Sequence, residues 1–136
     1  MRFIILLSIL LLTSTLLPGQ EAMRRWRKMN QIRNDKFDLV LPEVMRENNI
    51  DMWIIMNREG RFDPLYPDMG EGYVGSTGYY IFTDRGGDRI ERAALGISGY
   101  LLKEGGAYDY FGSELELKDF VAERNPQRIG LNFSRS

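Results

Sequence analysis

The sequence predicts an α/β fold in which a mixed β-sheet is flanked by helices, and three observations predict it. Trp26, Met29, Ile32, Phe37, Val40, Leu41, Val44 and Met45 recur mainly at spacings of three and four, the period of a helix with one buried face. Residues 52–56, Met-Trp-Ile-Ile-Met, form an unbroken apolar run that suits a strand covered on both sides. Residues 79–83 are β-branched and aromatic, 84–88 read Asp-Arg-Gly-Gly-Asp, and 90–95 return as the second arm of a hairpin. Helix, strand, loop, hairpin, helix and strand in that order argue one α/β layer structure.

The chain begins with Met1-Arg2, a positive start, followed by ten almost wholly apolar residues at 3–12. Thr13, Ser14 and Thr15 add polarity, and Pro18-Gly19 is expected to break any helix. Charge, apolar core and breaker in that order make residues 1–22 a secretory signal peptide, with cleavage expected between 15 and 22. The apolar run falls short of the roughly 20 residues of a membrane span, and an uncleaved anchor is the competing reading. The expected location is exported, periplasmic or extracellular. Residues 23–136 then make one domain of ordinary size.

The helical segment that follows is basic, with Arg24, Arg25, Arg27, Lys28, Arg33 and Lys36. That cluster suits phosphate or anionic lipid, or it is a solvated face whose aliphatic stems lie on the core. Pro42 either kinks one long helix or opens the first turn of a second. Asn48-Asn49 is a helix stop, because Asn tolerates the left-handed conformation. Residues 57–78 read as a long Gly/Pro loop. Residues 96–110 are mixed, with a short helix near 100–103. Ser113 and Glu116 form a capping box for a helix whose buried face is Leu117, Phe120 and Val121. Asn125-Pro126 ends it, and 128–133 is a last strand.

The inventory is as informative as the pattern. The chain has 136 residues and a formal charge of -1, so no whole-domain attraction to nucleic acid or anionic lipid is expected. It contains no Cys and no His. That removes disulfides, a thiolate nucleophile and the commonest metal and acid–base side chain.

Two stretches carry a family resemblance. Lys36-Phe37-Asp38 followed by Leu41-Pro42-Glu43-Val44-Met45-Arg46-Glu47-Asn48-Asn49-Ile50-Asp51-Met52-Trp53-Ile54-Ile55 resembles the opening helix and first strand of the N-terminal domain of the creatinase/prolidase/aminopeptidase P family. Tyr80-Ile81-Phe82-Thr83-Asp84-Arg85-Gly86-Gly87 and Ile90-Glu91-Arg92 are similar to its hairpin, and Arg128-Ile129-Gly130-Leu131-Asn132 to a strand near its end. The resemblance covers nearly all of residues 23–136 and implies a creatinase N-terminal-like, ribonuclease H-like layer architecture. It implies that catalysis belongs to a C-terminal domain, where two divalent metal ions are held by two Asp, one His and two Glu. No residue here matches those positions, so no catalytic, cofactor-binding or metal-binding residue is assigned. The implied partners are the C-terminal peptidase domain and other copies of the chain, with no nucleic acid and with the membrane met only through the export signal. The alternative is a stand-alone exported binding module. A reading frame continuing past Ser136 with Asp, His and Glu at metal-ligand spacing distinguishes the two.

Other motifs are weaker. Gly70-Glu71-Gly72-Tyr73-Val74-Gly75 matches G-x-G-x-x-G, but a dinucleotide site needs a strand before it and a helix after it. Asp63, Asp68, Glu71, Asp109, Glu114 and Glu116 offer carboxylates for an acid–base pair, a small-hydrolase reading that the residue inventory disfavours. Asn132-Phe133-Ser134 spells a glycosylation sequon on an expected strand. Arg58, Tyr66 and Tyr73 suit a contact surface on the long loop, with packing onto their own domain as the alternative.

Overall fold

The computed structural model describes the backbone of residues 2–132 and the side chains of residues 19–132. Most of the expected leader, residues 1–18, and the last two sequon residues lie outside the described side chains. The first helix, α1, spans Arg2–Asp35 and is therefore continuous across the expected break at Pro18-Gly19.

A π-helical turn, Lys36–Val40, joins α1 to α2, Leu41–Glu47. Pro42 sits in the first turn of α2, where its missing N–H costs nothing. Asn49 has φ of 53°, and this left-handed residue turns the chain into β1, Met52–Arg58. After a short α3, Tyr66–Met69, strand β2 runs Tyr73–Thr83 and β3 runs Glu91–Ser98. Then come α4, Tyr100–Glu104, and β4, Tyr110–Gly112. A 3-10 turn at Glu114–Glu116, α5 at Leu117–Arg124 and β5 at Ile129–Leu131 complete the chain.

The sheet order is β4-β3-β2-β1-β5. β2 pairs antiparallel with both β1 and β3, whereas β5 on β1 and β4 on β3 are parallel, so the sheet is mixed. Period-2 alternation splits β1 between two cores. Ile55 faces a core closed by Phe37, Leu41 and Met45, with Trp53 packed against it. Met52 and Ile54 face the opposite core, closed by Phe120 with Leu117 and Val121 packed on it. Helices on both faces explain why this strand carries an unbroken apolar run.

Several expected boundaries move, with β1 extending to Arg58 and β3 to Ser98. β2 begins at Tyr73 and not at 79, so the long loop shrinks to residues 59–72 and contains α3. Pairing supplies what local composition does not, since Tyr73 and Val74 lie opposite Ser98 and Ile97 of β3. β4 emerges from the stretch expected to be irregular, and β5 is shorter than expected.

Helix ends are fixed by specific bonds. The capping box at Ser113 is formed, with its hydroxyl accepting from Leu115 N at 3.2 Å and Glu116 accepting from Ser113 N at 2.8 Å. It opens the 3-10 turn that leads into α5. Arg124 then holds α5 on the sheet, 2.5 Å from Glu91 of β3 and stacked 3.4 Å over Phe120. Asp51 accepts the backbone N–H groups of Gln127 and Arg128 at 2.8 and 3.0 Å, which sets β5 beside β1.

Among the described residues one charge is buried. Arg92 on β3 is 1% exposed, bonds the carboxylate of Asp38 on the π turn and lies over the Phe37 ring. Removing one partner of a buried pair strands the other. Asp38→Ala should therefore cost about 2 kcal/mol in urea unfolding, below the full buried-pair penalty because Asp38 is half open to water. Asp38→Ala with Arg92→Met should recover part of that loss. An Asp38→Ala protein within about 0.5 kcal/mol of the parent overturns the assignment.

Candidate functional site

The two ends of the sheet differ in how fully their charges are used. At the end where β1 starts, Arg46 of α2 donates to Asp84 at 2.8 and 3.0 Å and to Gly87 O at 2.5 Å. The same guanidinium holds the Asp84 carboxyl below its usual range. Asp84 N in turn donates to Asp51 O at 2.8 Å. Arg46, Asp51, Asp84 and Arg128 line a cavity of about 360 Å³ there.

The opposite end is built by the last residue of β1, the loop after it and the residue following β5. A cavity of about 570 Å³ is lined by Met56, Arg58, Arg61, Phe62, Asp63, Pro64 and Asn132. Asn132 is fully engaged, accepting from Met56 N at 2.8 Å and donating to Asp63 at 2.6 Å and Met56 O at 3.1 Å. The sequon Asn thus braces a strand end. Asn57, fully buried, accepts from Asp63 N at 2.9 Å and ties the loop to the sheet. Arg58 and Arg61 are exposed and form no side-chain hydrogen bond or ion pair among the described residues. Phe62 stacks 4.4 Å from Tyr66 with about half its surface still open.

Of the three residues expected to make a contact surface, Arg58 and Tyr73 are exposed, Tyr73 at 69%. Tyr66 is corrected: at 7% exposure it belongs to the core. Its hydroxyl donates to Gly72 O and accepts from Gly72 N. Two neighbours make the same grip, with Tyr80 donating to Gly70 O and Tyr108 to Met69 O at 2.6 Å. Three tyrosines therefore hold the backbone of residues 69–72, and Arg33 adds a bond to Asp68 O at 2.8 Å. Desolvation raises the hydroxyl pKa of Tyr66, Tyr80 and Tyr108, so all three stay protonated donors.

This grip explains the glycine pattern. Gly70 has φ of 101°, and a Cβ there would lie 2.8 Å from Leu102. A Cβ on Gly72 would lie 2.8 Å from Ser98 O. A short helix precedes the pattern and β2 runs through its end, the reverse of the strand–turn–helix that a dinucleotide site requires. The glycines answer to backbone packing.

The carboxylates are dispersed. Asp68 pairs with Lys36, Asp109 with Arg89, and Glu116 with the Tyr110 hydroxyl, which lowers the Glu116 pKa. Among the described residues no three His, Cys, Asp or Glu side chains gather where they could hold a metal ion. Tyr80, Tyr108 and Arg33 escaped sequence reading because their partners are backbone carbonyls, which leave no mark in residue spacing.

No family model, curated protein or solved structure matches this chain.

Tyr108→Phe should leave Met69 O without its buried donor, costing about 1–2 kcal/mol and accelerating amide exchange at 69–72 more than in β1. Uniform acceleration across the sheet overturns the local grip. The raised tyrosine pKa values also give a pH dependence. Neutral tyrosine is favoured by folding, so this stability is fully present below the unfolded pKa of about 10 and is lost as pH rises beyond it. Melting should stay level up to about pH 10 with respect to these groups and fall above it, and Tyr108→Phe should reduce that alkaline fall.

Proposed function

We propose that this chain is the non-catalytic N-terminal domain of an exported Xaa-Pro aminopeptidase-like metallopeptidase of the creatinase family. It would support oligomer contacts and shape the active-site entrance of a C-terminal peptidase domain. The observation that carries the reading is spatial. The phrases bearing the resemblance lie far apart in sequence, yet they form the adjacent strands β5, β1 and β2, with the start of β3 beside them. Their polar ends meet around Asp51, which ties β5 beside β1 through Gln127 N and Arg128 N, while Arg46 binds Asp84. Asp51, Asp84 and Arg46 in those phrases thus join neighbouring elements.

The domain's contribution to the whole enzyme is a surface. Arg58, Arg61 and Phe62 line one cavity, where two guanidinium groups without a partner among the described residues lie beside an exposed aromatic ring, a composition favoured in interface centres. A carboxylate or peptide carbonyl on a neighbouring domain is the matching chemistry.

The purified chain should hydrolyse no Xaa-Pro peptide with manganese, cobalt or zinc. Turnover that a chelator abolishes and a mock preparation lacks refutes the non-catalytic role. In a longer protein carrying the peptidase domain, Arg58→Glu with Arg61→Glu should weaken assembly by tenfold or more, about 1.4 kcal/mol, in sedimentation velocity. Unchanged assembly and unchanged peptide KM refute the contact role.

A further inference from the structure

We infer that the exposed turns of α1 at residues 22–29, together with α4, are a docking surface for an anionic lipid bilayer. The inference is independent of the peptidase reading. It begins with charge segregation. Residues 19–36 hold six basic and two acidic side chains, while residues 37–136 hold eleven basic and seventeen acidic. The formal charges of +4 and -6 make the molecule strongly bipolar although the total is near zero.

The structure then divides the basic cluster in two. Arg33 and Lys36 are absorbed by the fold, through Asp68 O and the Asp68 carboxylate at 2.8 and 3.2 Å. Arg24, Arg25, Arg27 and Lys28 are all exposed. Arg24 and Arg25 share one carboxylate, Glu21, and Arg27 and Lys28 have no side-chain partner among the described residues. Surface pairs of that kind are weak and leave most of the positive potential in place.

The same turns carry an exposed apolar stripe. At about 100° per residue, Ala22, Met23, Trp26 and Met29 fall on one side of α1, and Arg24, Arg27 and Lys28 on the other. Met23 and Met29 are a little under half exposed, as is Leu101 of α4, and Tyr100 is mostly open. Trp26, Met29, Leu101 and Leu102 line one cavity of about 300 Å³, so the stripe and α4 form a single surface. Asn34 fixes them together by donating to Gly105 O at 3.2 Å.

Apolar side chains with Trp on one face and Lys/Arg on the other suit the headgroup boundary of an anionic bilayer. The acidic body supplies orientation, because repulsion from anionic lipid keeps it on the water side. A protein partner would need acidic groups around an apolar socket, whereas a lipid surface offers both at once.

The test uses the full chain with vesicles of phosphatidylcholine alone or of equal parts phosphatidylcholine and phosphatidylglycerol. Co-sedimentation with the anionic vesicles should exceed that with the neutral ones by about tenfold or more, and should fall when salt rises from about 0.1 M to about 1 M. The emission of Trp26 should shift to the blue on the anionic vesicles, a change that Trp26→Phe removes because Trp53 stays in the core. Arg27→Glu with Lys28→Glu should weaken anionic binding at least about tenfold. Both residues lie on the exposed face, so the melting curve should not move. If that variant melts early, the lipid and salt comparisons on the parent chain decide. Equal, salt-insensitive binding to both vesicle types would assign the interaction to the apolar leader and overturn the proposal. Self-association that buries Trp26 without vesicles would assign the stripe to a second copy and overturn it too.

Discussion

A single buried guanidinium sets the arrangement of the helical side of this domain. Arg92 lies in a central strand with almost no exposed surface. A cation there is tolerated only if a carboxylate reaches it. The π turn after α1 brings that carboxylate, Asp38, and sets Phe37 against the guanidinium on the way. Phe37 then meets Phe82 at 4.9 Å and Tyr108 at 6.1 Å, so the ion pair and the aromatic core close together. Asp109 completes the frame, accepting from Arg92 N at 2.9 Å and from Arg89 at 2.7 Å. With this geometry satisfied, α1 and α2 have a fixed position on the sheet.

That position decides the fate of the glycine-rich segment. Once α1 is seated, Arg33 reaches Asp68 O, and Tyr66, Tyr80 and Tyr108 close on the carbonyls of residues 69–72. A segment with few regular backbone partners is held by side chains instead, which satisfies the same accounting of buried polar groups. Holding it lets β2 begin at Tyr73, whose side chain is exposed beside Ser98 of β3.

Legibility in the sequence followed the range of each interaction. Asn49 and Asn125, both at positive φ, and the Ser113 capping box were visible because they act within a few residues. The apolar run at 52–56 announced a doubly covered strand for the same reason. The first residues of β2, Tyr-Val-Gly-Ser-Thr-Gly, mix strand formers with two glycines and pair with β3 and the end of β1. β4 has three residues and exists only because β3 lies beside it. Arg92 looked like one more surface cation until tertiary packing enclosed it. Of the candidate surface, Arg58 and Tyr73 were legible as exposed loop chemistry, whereas burial of Tyr66 depends on contacts with Tyr80 and Phe62 that spacing does not encode.

The division of charges has one further consequence for how this domain works. Near the start of β1, Arg46 and Asp51 each satisfy a partner, and the exposed Arg128 guanidinium has none among the described residues. Near the end of β1, Arg58 and Arg61 have no side-chain partner among the described residues, so a partner's carboxylate would add bonds without removing any of those. The exposed turns of α1 are free in the same sense, with four cations facing one acid. These two surfaces differ in chemistry. One is a small polar cavity rimmed by guanidinium and aromatic groups, suited to a shaped protein contact. The other is an extended basic and apolar face, suited to a partner with charge but no fixed shape. Charges bonded within the domain hold its architecture, and those without a partner among the described residues mark where the molecule can meet something else.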